Sequence, residues 1–263
     1  MMVLVQSILD AIDEFAPWRT ATEWDNSGLV IGSPHDSVEK VGIVLDVSGE
    51  ALKEASSKGC DCIVSHHPLL FEPVRRIHTD KSQGKMLAQI LRSGINVIAA
   101  HTNWDVSCRG VNVILAELLK LEEIKPLGSD FSCDFQLWEG ASGNISTPLE
   151  LKEFAIFAKK TLSLSWVHTL GRHERVEKIA LCGGSGGGQW KEALKQGADV
   201  FLTSDMKYHE IQDAVDCGLS ILIADHGEIE RLSLPFLQKE IEIRTGLEVC
   251  VLKAHFDSGM MLV

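Results

Sequence analysis

Apolar residues follow two rhythms along this chain. Leu4, Ile8, Ile12 and Phe15 recur at helical spacing, and Pro17 stops that helix. Most other apolar stretches are short, continuous runs: 29–31, 41–45, 62–64, 96–100, 178–182, 199–203, 220–224 and 248–253. Between them lie amphipathic segments at 49–58, 82–92, 111–119, 148–162, 190–196, 209–217 and 228–244, several closed by a glycine such as Gly59, Gly94, Gly197 or Gly218. Strands that are apolar on both faces, alternating with helices, predict an α/β fold with sheets covered on both sides. In such sheets ligands bind beyond the carboxyl ends of the strands.

Residues 126 to 147 are rich in Gly, Ser and Pro without a clear period, and a domain boundary is expected there. The second half repeats the rhythm of the first. EASSKGCDCIVSHHP and EALKQGADVFLTSDM share Glu-Ala, a glycine, an acidic residue and a β-rich run. Two similar α/β halves follow.

Three apolar runs end in histidine. Cys62-Ile63-Val64-Ser65 leads into His66-His67-Pro68, 96–100 into His101, and 220–225 into His226. Asp105 and Glu230 stand four residues beyond the last two. Taken singly, each pair reads as a solvated surface pair. Together, histidines and carboxylates at three strand ends are the donor set of Zn, Fe, Mn or Ni, and enough of it for two divalent metal ions. His226 and Glu230 open a predicted helix and share one face. Adjacent strand residues point to opposite faces, but Pro68 ends the strand, so the His66 and His67 rings can turn toward two different ions.

Other features are open to two readings. Gly183 to Gly188 could cradle a phosphate or make a tight turn, and it fits neither dinucleotide nor Walker patterns. Lys207, Tyr208 and His209 could meet a substrate or lie on a helix surface. Asp25 and Asn26 could orient a metal-bound histidine or cap a turn. His35, His78, His168, His173 and His255 lack matching partners and read as ordinary.

Charge and cysteines narrow the partners. Thirty-seven acidic against 25 basic residues give a net charge of −12, which opposes nucleic-acid binding. Seven cysteines, an odd number without Cys-x-x-Cys, read as reduced thiols, with Cys62 in a core strand. No apolar run approaches the roughly 20 residues of a membrane span, and no targeting segment is evident, so a cytoplasmic location is expected.

Six segments carry a resemblance to a known family: WDNSGLVIG, SHHPLLF, AHTNWDVSCRGVN, GGSGG, GADVFLTSDMKYH and ADHGEIE, between residues 24 and 230. In this order they resemble the Nif-three-like dinuclear-metal proteins, the GTP cyclohydrolase I type 2 homologues, in their short form. The resemblance implies two interlinked similar α/β domains, each a mixed sheet flanked by helices. The first would span 1–125 and be completed by 226–263; the second would span 126–225. It implies a two-metal site with ligands His66, His67, Asp105, His226 and Glu230, and His101 beside the metals as a weak ligand or base. It also implies a homo-oligomer, a ring of six. The activity expected is metal-dependent hydrolysis of a nucleotide or phosphorylated small molecule, with His101 or His209 moving protons and Lys207 meeting a phosphate. The alternative is a non-enzymatic metal-stabilised ring that serves as a scaffold or as a regulatory partner-binding protein. Arg109-Gly110, Thr203-Ser204-Asp205 and Asp225-His226-Gly227 depart from the family pattern and alter the lining of the cleft.

Overall fold

The computed structural model describes residues 2–128, 136–171 and 174–255; Cys133 and His173 lie outside them. The chain begins with β1 (Val3–Leu4), α1 (Val5–Phe15), β2 (Gly28–Ile31), β3 (Ser37–Val38), β4 (Lys40–Val44), α2 (Gly49–Ser57) and β5 (Cys62–Ser65). It continues with α3 (Ser82–Ser93), β6 (Asn96–Ala99), α4 (Thr102–Asp105), α5 (Val111–Leu118), β7 (Glu122–Pro126), β8 (Ala141–Leu149), α6 (Leu151–Thr161) and β9 (Val167–Leu170). It then runs through β10 (Val176–Leu181), α7 (Trp190–Lys195), β11 (Val200–Thr203), α8 (Tyr208–Asp216), β12 (Ser220–Ala224), α9 (His226–Arg231), α10 (Leu234–Thr245) and β13 (Glu248–Val251).

Two compact units result. One comprises Met1–Trp104 and Leu234–Val263, the other Asp105–Ser233. The units part near residues 105 and 233. The reason is local: β7 pairs antiparallel with β8, while Val111 and Leu115 of α5 and Ile229 of α9 crowd Gly183 at the end of β10.

The first unit is built on a five-stranded sheet in the order β13-β4-β5-β6-β2. Its strands are parallel except β2, which runs antiparallel to β6 at the edge. Burial explains the continuous apolar runs: Ile63, Val64, Val97 and Ile98 are fully buried. Ala51, Leu52 and Ala55 of α2 and Ile90 of α3 pack with Ile63, Val97 and Leu252 in one core. Each such aliphatic side chain contributes on the order of 1.5–3 kcal/mol when buried. Gly94 closes α3 at φ 69°, a left-handed position that suits glycine. Cys62 is buried in β5, as core packing requires, and Cys60 meets Cys250 at 4.0 Å as a free thiol pair.

The second unit is built on a six-stranded mixed sheet, β7-β8-β10-β11-β12-β9. Strands β10, β11 and β12 are parallel; β7, β8 and β9 are antiparallel to their neighbours. Ala193 of α7 and Ala214 of α8 pack with Phe201, Ala180 and Ile221.

The halves are similar in detail. In each, three parallel strands carry an antiparallel strand on one flank: β4-β5-β6 with β2, and β10-β11-β12 with β9. The aspartates of the repeated segments do the same work. Asp61 accepts the backbone N–H groups of Glu39 and Lys40 on one carboxylate oxygen, at 2.8 and 3.2 Å. Asp199 accepts those of Glu177 and Lys178, both at 2.8 Å. Each carboxylate thus accepts two strand-entry donors. Aligned on these aspartates, His67 falls opposite Asp205.

Five strands were not expected from the pattern: β1, β3, β7, β8 and β9. The single helix expected over 228–244 is two, α9 and α10, because Pro235 supplies no N–H donor and fits only in the first turn of a new helix. Among the described residues no helix is long and apolar enough to cross a membrane.

Candidate metal centre

In the first unit the chain turns sharply after β5. The backbone N–H groups of both His66 and His67 donate to the β4 side, to Val44 and Leu45 carbonyls at 3.0 and 2.9 Å. Consecutive donors to one neighbour are incompatible with a regular strand, in which they alternate. The turn puts both rings on one side, with centroids 5.1 Å apart and planes tilted by 44°. His101 follows β6 and brings its ring to 5.2 Å from His66 and 5.7 Å from His67. The ligand atoms of His66, His67 and His101 all lie within 4.8 Å of one another.

Each ring is held through Nδ1. His66 Nδ1 donates to the Ala100 carbonyl at 3.0 Å, His67 Nδ1 to Asp46 Oδ1 at 2.8 Å and His101 Nδ1 to Asp25 Oδ1 at 2.8 Å. A carbonyl can only accept, so the neutral His66 ring keeps its Nε2 lone pair available. The carboxylates favour the same tautomer at the other two.

Asp25 is the best anchored of these partners. Its side chain is fully buried, and it also accepts from Asn26 N, Ser27 Oγ, Thr102 N and Thr102 Oγ1, at 2.6–3.1 Å. Burial alone would raise its pKa, but the hydrogen bonds from His101, Thr102 and Ser27 outweigh it and hold the carboxyl well below the usual carboxylate range. A depressed folded pKa gives stability that is present above the unfolded value, about 4, and is lost as pH falls below it. Asp25→Asn is therefore expected to cost about 1.5–3 kcal/mol at pH 7. Thermal melts should show the gap to wild type closing below pH 4, whereas a gap that is constant with pH would contradict the assignment.

In the second unit His226 is the first residue of α9, whose N-cap Asp225 accepts from Glu228 N at 2.9 Å. One turn on, buried Glu230 places Oε2 3.0 Å from His226 Nε2. On the other side His226 Nδ1 donates to Asp205 Oδ2 at 2.7 Å, and Ser185 Oγ donates to the same oxygen at 2.9 Å. Burial disfavours charge on His226, yet the hydrogen bonds and charges of Glu230 and Asp205 prevail and push its pKa up to about 9. An ion taken up here displaces that proton.

The glycine run forms a seat for Glu230. Its 3₁₀ turn leads into α7, a helix of only 6 residues. Gly184 adopts φ +62°, and a Cβ there would stand 2.2 Å from Glu230 Oε1 and 3.4 Å from His226 Nε2. Gly183 N donates to Asn112 Oδ1 at 2.9 Å, and Asn112 Nδ2 donates to the Asp105 carbonyl at 3.1 Å. Burial first, then the negative charges of Asp105, Glu230 and Glu139, push the Cys182 thiol up; ligand atoms of Asp105 and Glu230 lie within 4.8 Å of one another.

Of the residues expected from sequence, His66, His67 and His101 thus meet in the first unit, and Asp105, His226 and Glu230 gather in the second. Lys207, Tyr208 and His209 are exposed at the start of α8, where Lys207 N donates to Glu210 Oε2 at 3.0 Å. His35, His78, His168 and His255 are exposed. Sequence reasoning missed Asp46 as the partner of His67 and Asp205 as that of His226. The repeat offers a signal for Asp205, since it aligns with His67.

Imidazole nitrogens fixed by oxygen partners, with carboxylates beside them, fit a divalent cation.

Comparison with known proteins places the chain in a family. The chain is 32% identical over 216 residues to a protein of Lactococcus lactis named GTP cyclohydrolase 1 type 2 homolog, covering 79% of each. It is 31% identical over 247 residues to the Clostridium perfringens protein of the same name, covering 93% of this chain and 94% of that one. Its fold matches the crystal structure of a Bacillus cereus protein related to NIF3 with a TM-score of 0.92, at 24% identity and 99% coverage of both chains. The profile of the Duf34/NIF3 (NGG1p interacting factor 3) family matches residues 3–257, and the chain belongs to that family.

Proposed function

We propose that the protein binds two divalent metal ions and uses them for hydrolysis. His66, His67, Asp105, His226 and Glu230 are the ligands in this reading. The observation that carries it is the shared Nδ1 pattern: four histidines at strand ends, each with that nitrogen donating to an oxygen.

Bound there, a pair of divalent ions supplies a water nucleophile near neutral pH and stabilises charge on the oxygens of a displacement. The chain's own residues do the rest. Asp46, Asp25 and Asp205 fix the imidazoles. His101, oriented by Asp25, moves a proton between solvent and the reacting group. Lys207 and His209 lie just beyond Asp205 in sequence and meet the anionic part of a nucleotide or phosphorylated small molecule. The relatives' name, GTP cyclohydrolase 1 type 2 homolog, supports a purine nucleotide as the first substrate to try. The resemblance to the Nif-three-like proteins supports a ring of six chains and a cytoplasmic location.

The test is to load the protein in turn with Zn, Mn, Fe or Ni and assay formate release from GTP and phosphoesterase turnover. Turnover with at least one metal, abolished by chelation, is expected. Absence of turnover with all four would leave the metals a structural role and the assembly a scaffold.

A further inference from the structure

Two large aromatic side chains of the first unit are exposed where the core has no use for them. Trp24 is 60% exposed and Phe71 54% exposed. They are not scattered. Their ring centroids are 5.6 Å apart, tilted by 38°, and each stands edge-on to His101 at 6.1 Å, with interplanar angles of 74° and 72°. These separations fall within the range of direct aromatic contact. Both rings thus stand at the rim of the histidine triplet.

The rim is also built on a fixed frame. Trp24 precedes Asp25, whose carboxylate is buried and accepts from His101 and Thr102. Phe71 follows Leu70, whose carbonyl accepts from Asn26 Nδ2 at 2.6 Å. That hydrogen bond clasps the two loops together. Exposed aromatic surface on a braced frame is costly in water unless something covers it.

We propose that Trp24 and Phe71 form a stacking face for a planar, bicyclic heteroaromatic ring of the purine type. An indole offers a bicyclic π-face that a purine can overlap in full, and stacking of this kind tolerates different bases because each has such a face. The ring nitrogens and exocyclic groups of a purine carry the lone pairs that a divalent ion beside His101 would accept. This last step rests on the metal reading above; the stacking face itself does not.

The test is calorimetric titration of the zinc-loaded full-length protein with guanosine 5′-monophosphate, adenosine 5′-monophosphate and ribose 5-phosphate. Both purine nucleotides should bind more tightly than the ring-less control. Trp24→Ala and Phe71→Ala should each weaken nucleotide binding roughly 5- to 150-fold and leave ribose 5-phosphate unchanged. Trp24→Phe should retain most of the preference, which separates stacking from a fault in folding. Equal binding of all three ligands to wild type, or an unchanged preference in both alanine variants, overturns the proposal. So does a change of oligomeric state in sedimentation with the preference intact, because the rim would then be a contact between copies. Zinc content measured on the same samples distinguishes the two readings: no zinc uptake with a purine preference present refutes the metal centre and leaves the stacking face standing.

Discussion

Glu230→Ala should lower metal affinity roughly 100-fold or more, beyond the usual cost of losing a partner that only orients a ligand. Glu230 is buried and lies 3.0 Å from His226 Nε2, so its charge is committed to that position. Alanine removes a partner of His226 and the negative charge that offsets a cation. Gly184→Ala should act in the same direction without replacing a ligand. Its Cβ would stand 2.2 Å from Glu230 Oε1, at a backbone φ of +62° that side chains rarely adopt. Glu230→Gln keeps the shape and loses the charge, so it should fall between wild type and the alanine variant. Equilibrium dialysis with zinc, beside circular dichroism to show retained structure, reads all three.

The largest expected loss of stability comes from Trp104→Ala. Trp104 is 0% exposed, lies in α4 and packs edge-on against Phe15 of α1, with centroids 5.5 Å apart at 85°. Removing so large a buried side chain leaves a cavity and costs about 3–5 kcal/mol. For a chain of this size that corresponds to a fall in melting temperature of roughly 6–20 °C. Because α4 carries the chain from His101 to Asp105, the same variant should also bind zinc less tightly. A melting temperature within about 2 °C of wild type would contradict the packing described here.

The parallel strands were legible because they are buried on both faces. Ile63, Val64, Phe201 and Leu202 are all fully buried, so burial wrote continuous apolar runs into the sequence. The antiparallel strands were not. β8 reads Ala-Ser-Gly-Asn-Ile-Ser-Thr-Pro-Leu, with its later residues partly exposed, and its ladder with β10 shifts register between Val176 and Lys178. Gly, Ser and Pro there are as typical of a loop as of an irregular strand. β9 is a four-residue edge strand with His168 exposed, too short and too open for a periodic signal.

The site divides in the same way. Histidines at strand ends stood out because the preceding runs fixed where the strands stop. Their orienting carboxylates did not. Asp46 reaches His67 from 21 residues upstream, and Asp205 reaches His226 over the same separation. Only the sheet register determines which carboxylate meets which ring. Asp25 was visible as a candidate, since Asp-Asn-Ser-Gly is turn chemistry, but its partner, His101, lies 76 residues on. The glycine run read equally as a phosphate cradle or a tight turn, whereas its role as a seat for Glu230 depends on packing within the second unit.

The central claim is a two-ion centre held by His66, His67, Asp105, His226 and Glu230. Metal analysis of chelated and then reloaded protein tests it most directly, on wild type and on Asp105→Ala and Glu230→Ala. The expected result is two divalent ions per chain in wild type and a sharp loss in both variants. Full occupancy in both variants, or no uptake by the wild type, would contradict it.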